Sequence, residues 1–171
     1  PGNWRTYANP SIGMLGVIAA RQLHLPYVAA MQDTLLPALG LSNSYLEVPR
    51  DKQALYAWGY DKDLLRVRVN PGVLAAEAYG MKSSSHDLLH FVEANLGRVE
   101  LPAPLKAALA QTQHGYYQRG TMTQDLIWEQ YAYPVELKSL RVGNSNKMAY
   151  ENNGAIALNP PLAPQQAVWI N

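Results

Sequence analysis

The sequence predicts an α+β fold, mainly helical, with short β-ribbons. Apolar residues recur at helical spacing in two places, Ile12, Leu15, Ala19 and Leu23, and then Leu88, Leu89, Val92 and Leu96. Brief runs of alternating character, Tyr56-Ala57-Trp58-Gly59-Tyr60 and Arg66-Val67-Arg68-Val69, flank a charged turn and read as a two-stranded ribbon. With 48% hydrophobic residues in 171, the chain is long and apolar enough to bury a core.

The first helix opens at Asn9-Pro10. Proline fits a first turn because its missing N–H would be unpaired there anyway, and Asn9 is a suitable N-cap. The helix is expected to run to about Gln22. Gly13, Gly16 and Ala20 give it a small-residue surface, and each interior glycine costs roughly 1 kcal/mol relative to alanine, so a neighbour should press close there. We expect that glycine face to be covered by structure outside this chain. Pro26 opens a second helix to about Leu36, Pro37 bends its last turn and Gly40 stops it. Residues 41–48 look extended. After the ribbon, Asn70-Pro71-Gly72 turns the chain into a surface loop over 72–82. Ser84 caps the next helix with Asp87 at its third position accepting backbone donors, Leu88, Leu89, Val92 and Leu96 form its buried stripe, and Gly97 ends it.

Residues 102–111 predict a short helix with Leu105, Ala108 and Leu109 inward. Residues 115–119 and 126–131 predict strands around the turn Gly120-Thr121. The aromatic residues here, Tyr116, Tyr117, Trp128, Tyr131 and Tyr133, could stack bases or sugars, but few lysines or arginines flank them and a packing role fits better. Residues 135–142 predict a helix whose Lys138 and Arg141 suit its C-terminal end, with Gly143 as its stop. Residues 144–164, with Asn152-Asn153-Gly154 and Pro160-Pro161, read as a long irregular polar loop, and residues 166–171 as a strand.

Charge and composition exclude several classes. A net charge of +1 from 14 basic and 13 acidic residues, with no basic cluster, argues against nucleic acid as a partner. No apolar run approaches the ~18 residues that cross a bilayer, and the first five residues do not read as a signal peptide. The absence of cysteine excludes disulfides and thiolate metal sites. His86 and His90 lie four apart, as in the H-E-x-x-H zinc motif. The residue after the first histidine is aspartate, not glutamate, and only His24 and His114 remain as further imidazoles, so we expect two solvated histidines, no metal and no cofactor.

Tyr7-Ala8-Asn9, followed by a Pro-Ser-Ile-Gly helix, resembles the second conserved element of the class C β-lactamases, the serine cephalosporinases. The likeness continues in the family's order through Glu77-Ala78-Tyr79-Gly80-Met81-Lys82-Ser83, Gly115-Tyr116-Tyr117-Gln118, residues 128–134 and Gly143-Asn144-Ser145-Asn146-Lys147, and covers essentially the whole chain. It implies the helical domain of a serine β-lactamase or penicillin-binding-protein-like fold over residues 1–150. Residues 151–171 would then form a cleft-edge loop and the start of a strand in an α/β domain, in a layer apart from the first 150 residues. Tyr7 would be the acid/base residue beside a nucleophilic serine, and Asn9 a ligand of the acylamide side chain. Tyr79 would contact the antibiotic from its loop, unless it merely packs that loop. Asn146 would border the cleft near the second substituent of a cephalosporin, or belong to a plain surface connection.

The family's Ser-x-x-Lys and Lys-Thr-Gly elements do not occur in these 171 residues, so the resemblance implies an internal piece of a longer enzyme. That parent would be a periplasmic monomer acting on a small-molecule β-lactam. Its serine would be acylated by the β-lactam carbonyl and the ester then hydrolysed, with Tyr7 passing protons in both steps. An ordinary tyrosine titrates near 10, so phenolate at neutral pH needs nearby cations; whether tyrosine or lysine takes the serine proton stays open. The same layout also suits a serine esterase or a penicillin-binding DD-carboxypeptidase, and the missing nucleophile admits a non-catalytic binding module.

Overall fold

The computed structural model describes residues 2–170 in two compact units, one made of residues 2–7 with 102–170 and the other of residues 8–101. Helix makes up 41% and strand 20%, so the fold is mixed α/β and mainly helical only in that helix outweighs strand. Across the expected division at 150/151, strands beyond residue 150 pair with earlier ones, residues 153–154 with Trp4–Arg5 and residues 156–162 and 167–170 within a five-stranded sheet.

In the unit of residues 8–101, α1 spans Asn9–Gln22. Its N-cap is Ala8, in extended conformation, and no side chain caps the helix. Asn9 is therefore the first helical residue and not the cap; the backbone carbonyl of Ala8 takes the N–H groups of Ser11 and Ile12. The glycine face is covered from within the chain. A Cβ on Gly13 would lie 2.6 Å from Leu74 Cβ, and one on Gly16 would lie 3.0 Å from Glu77 Cβ and from Tyr27 Cε2. Leu74 and Glu77 belong to a short helix, α4 (Ala75–Ala78), and its entry, in the stretch the sequence suggested was only loop. The face left open is instead the one carrying Ile12, Met14, Leu15 and Ile18.

The second helix is continuous from α2 (Tyr27–Ala29) through a wide π-helical stretch, Ala30–Leu35, into α3 (Leu36–Ala38). Gly40, at φ +74°, ends it as expected: its N–H reaches Pro37 O while Leu41 N–H reaches Leu36 O, both at 2.9 Å. Residues 41–48 contribute only a single bridge, Tyr45 to Lys82. A 3-10 helix, Arg50–Leu55, leads into the predicted ribbon, β2 (Gly59–Tyr60) against β3 (Arg66–Val67). Arg68 is stacked between the Tyr56 and Trp58 rings, 3.7 and 3.6 Å from their centroids.

Helix α5 (Ser85–Asn95) is capped by Ser84, which accepts from Asp87 N–H at 3.2 Å. Its inward residues are Asp87 and Ala94, while Leu88, Leu89, Val92 and Leu96 face out. The expected stripe is thus on the wrong side, and the reason is Asp87. Its carboxylate, 1% exposed, accepts from Asn43 N–H and Ser44 Oγ, each at 2.8 Å, and this satisfaction of a buried charge sets the rotation of the helix. Burial works to raise this carboxyl, but these hydrogen bonds outweigh it and hold Asp87 below the usual aspartate value.

In the other unit, α6 (Ala103–Thr112) half-buries Leu105 and Leu109 and leaves Ala108 exposed. A five-stranded antiparallel sheet follows, in the order β8-β4-β5-β6-β9. Its strands are β4 (Gly115–Arg119), β5 (Met122–Gln124), β6 (Glu129–Ala132), β8 (Ile156–Leu162) and β9 (Ala167–Ile170). Asn171, the last residue of the predicted terminal strand, lies outside the described residues. β8 overturns the expected irregular loop. Its Pro160 and Pro161 have no N–H to donate, which suits an edge strand and hides it from sequence periodicity.

Met122, Tyr131 and Met148 form the core, with Val135, Leu140 and Ile170 against them. Of the aromatic group only Tyr131 is fully buried; Tyr117 and Tyr133 remain exposed. Gly143 is the last residue of α7 (Leu137–Gly143) rather than a stop after it, and its lack of a side chain is what admits Tyr131, whose hydroxyl a Cβ there would collide with. Ser145 caps α8 (Asn146–Tyr150), and β7 (Asn153–Gly154) pairs with β1 (Trp4–Arg5).

A buried carboxyl–amide pair lies beside this core. Gln130 Nε2 donates to Asp125 Oδ1 at 2.8 Å, with the two residues 0% and 4% exposed. Among the described residues, Asp125 Oδ2 and Gln130 Oε1 have no hydrogen-bond partner. Burial pushes the Asp125 carboxyl up to about 6, against opposing pulls from the Gln130 amide and His114.

Candidate active site

Tyr7 lies in the junction between β1 and α1, and its side chain is exposed at 60%. The segment before it is pinned in three ways. Two residue pairs join β1 to β7, Thr6 Oγ1 donates to Asn152 Oδ1 at 2.6 Å, and the Arg5 guanidinium reaches three acceptors. Its Nε bonds Gln124 Oε1 at 2.9 Å, one terminal nitrogen bonds Met148 O at 3.1 Å, and the other pairs with Glu129 Oε1. Burial raises the Glu129 carboxyl, while the Arg5 charge pulls it back down. The Tyr131 hydroxyl is raised by burial and by the Glu129 charge, and Arg5 opposes this as well.

Asn146 is the exposed first residue of α8, two positions before Met148, so the Arg5–Met148 bond ties its helix to the segment that carries Tyr7. Asn9 and Tyr79 belong to the unit of residues 8–101. Asn9 is exposed in the first turn of α1 and, not being the cap, keeps its side-chain amide out of any capping bond. Tyr79 follows α4, which packs on α1, and accepts a hydrogen bond from Gly72 N–H at 3.0 Å. It therefore fastens its own loop and still leaves 43% of its surface open.

The histidine pair does not behave as two solvated imidazoles opposite a buried stripe. His86 is exposed, but His90 is half-buried, with its Nε2 2.9 Å from where a Cβ on Gly40 would stand. Among the described residues, no three His, Cys, Asp or Glu side chains are grouped to hold a metal ion. Ser44 and His86 each contact Asp87, so aspartate lies between the other two. No imidazole reaches the serine hydroxyl, so this is no nucleophilic triad.

Sequence reasoning missed Arg5, Glu129 and Asp125. The available signal was a charge set in apolar or aromatic strand sequence, Trp4-Arg5 and Trp128-Glu129, where a buried ionic group needs a partner.

If Asn9 is free to bind, Asn9→Ala should leave the melting temperature almost unchanged and weaken an acylamide-bearing ligand by roughly 0.5 to 1.5 kcal/mol. A loss of about 1 kcal/mol in stability, typical of a removed cap, with no change in ligand binding would reverse that assignment.

The profile of the Beta-lactamase family matches residues 1–167. A β-lactamase of Lysobacter lactamgenus is 51% identical over 170 residues, covering 99% of this chain and 44% of the relative. That of Pseudomonas fluorescens is 46% identical, covering 100% of this chain and 48% of the relative. Among solved structures, a β-lactamase/D-alanine carboxypeptidase from Pseudomonas syringae superposes with a TM-score of 0.95 at 56% identity, over 99% of this chain and 48% of its own. A class C β-lactamase in complex with cefoxitin does so with 0.92 at 48% identity, over 98% and 47%. The chain spans about half the length of the curated relatives it matches. A family profile running from residue 1 to residue 167, over a fold that superposes throughout, places this chain in the Beta-lactamase family.

Proposed function

We propose that this chain is part of a class C serine β-lactamase that opens the β-lactam amide of cephalosporins and penicillins through an acyl-enzyme, in the periplasm and as a monomer, and so confers antibiotic resistance. The observation that carries the reading is the exposed Tyr7 at a pinned junction, two residues before Asn9 in an uncapped first turn. A serine supplied outside these residues gives up its hydroxyl proton to a neighbouring base, its oxygen bonds to the carbonyl carbon and the C–N bond breaks. Tyr7 delivers a proton to the departing nitrogen. Water then attacks the ester, the serine oxygen leaves, and the proton taken from water returns through Tyr7. Asn9 donates to the acylamide carbonyl, Tyr79 lies along that side chain, and Asn146 meets the second substituent. No cofactor or metal takes part.

A second reading is favoured by two of the similar structures, the one from Pseudomonas syringae and a D-alanine carboxypeptidase from Burkholderia cenocepacia, 43% identical. On it, the same machinery cleaves a terminal D-alanine. The enzyme carrying this chain at its relatives' length should hydrolyse a chromogenic cephalosporin with kcat/KM at least ~10²-fold above that for a D-alanyl-D-alanine peptide, a difference of about 2.7 kcal/mol. The chain of 171 residues alone, lacking Ser-x-x-Lys, should give no turnover. A preference for the peptide would favour the carboxypeptidase, and turnover by the purified chain would remove the requirement for an outside serine.

A further inference from the structure

Four segments meet at the Arg5 guanidinium: β1 on which it sits, β5 through Gln124, β6 through Glu129, and α8 through the Met148 carbonyl. Both side chains of the ion pair are largely covered, at 14% and 16% exposure. A mostly buried ion pair is weak evidence of added stability, because desolvating the two charges offsets their attraction. Its geometric effect is more direct. Tyr7 lies two residues beyond Arg5 and Asn146 two residues before Met148, while the β1–β7 ladder contains only two residue pairs. Backbone pairing alone is therefore a short tether for the segment that presents Tyr7. The planar guanidinium fork binds its three acceptors in fixed directions, which a lysine ammonium cannot reproduce.

We propose that Arg5 is a positioning residue for Tyr7, its guanidinium clamping the β1–Tyr7 segment to α8 so that the Tyr7 hydroxyl and Asn146 keep one spacing around a bound substrate. Glu129 is the counter-charge that holds the fork in place. The inference rests on the reading of Tyr7 as proton carrier. It adds a residue that touches neither substrate nor reacting atoms but sets the distance over which the proton moves, where a displacement of about 1 Å is worth on the order of 10²-fold in rate.

The test is a double-mutant cycle in the enzyme of the relatives' length that carries this chain, using Arg5→Lys, Tyr7→Phe and the pair, with a chromogenic cephalosporin as substrate. Arg5→Lys should lower kcat by ~10- to 10²-fold with KM changed far less, and in the Tyr7→Phe background the same substitution should change kcat by less than about twofold. Glu129→Gln keeps an acceptor for Arg5 while removing its charge; it should show a smaller loss that also vanishes beside Tyr7→Phe, and it carries the cycle if Arg5→Lys does not accumulate as folded protein. Equal losses in both backgrounds would reduce Arg5 to a general structural residue and overturn the proposal, while leaving Tyr7 as proton carrier intact. If Tyr7→Phe alone leaves kcat unchanged, the reading of Tyr7 falls and the positioning role falls with it.

Discussion

Tyr7→Phe, in the enzyme of the relatives' length that carries this chain, should lower kcat by ~10² to 10⁴-fold, the range for loss of a general acid/base group. The substitution removes one hydroxyl and keeps the ring. Because the side chain is exposed, folding should be affected by no more than about 0.5 kcal/mol and the melting temperature should hold. KM should move much less than kcat, since the hydroxyl is needed while the C–N bond breaks and not for binding. Steady-state kinetics with several β-lactams, together with a thermal melt, check both halves of the expectation. Near-normal turnover across those substrates would falsify the proton role, whatever the family.

The second large effect concerns Asp125 and stability. A carboxyl that titrates at about 6 in the fold and at 3.8 unfolded holds its proton more tightly when folded. Its contribution is therefore fully present below pH 3.8 and is lost as pH rises through about 6, which amounts to roughly 3 kcal/mol for the ionised group. Protonated, Asp125 Oδ2 becomes a donor beside Gln130, whose Oε1 has no partner among the described residues. Asp125→Asn imitates that protonated form at every pH. Urea unfolding between pH 3 and 7 should show the wild-type enzyme losing roughly 3 kcal/mol relative to Asp125→Asn as the pH rises. Asp87, held below its usual value, acts in the opposite sense near the acid end in both proteins and cancels in the difference. A constant gap between the two proteins over that range would show that Asp125 titrates as an ordinary exposed carboxyl does.

Much of the helical framework was legible because its signals are local. Ser84 as a cap, Gly40 and Gly97 at positive φ after their helices, and Pro102 before α6 all act within one turn, and the structure has each of them where the residues imply. The ribbon of β2 and β3 was legible for the same reason, being joined by its own turn. Failures came where a distant partner decides. The buried face of α5 was chosen by Asn43 and Ser44 acting on Asp87 and not by the leucines. β8 depends on β4 and carries prolines that imitate a loop. At the candidate site, Tyr7, Asn9, Tyr79 and Asn146 were named through family likeness. Arg5 and Glu129 escaped notice because their pairing spans 124 residues.

The two rims of the five-stranded sheet differ in what they can accept. β8 forms one rim, and with Pro160 and Pro161 among its seven residues it lacks part of the amide row that an incoming strand would need. β9 forms the other rim, and its residues Ala167–Ile170 contain no proline. Enlargement of this sheet is consequently biased: the amide row of β8 is interrupted by proline, whereas β9 offers a further strand, from the same polypeptide or another, an unbroken one.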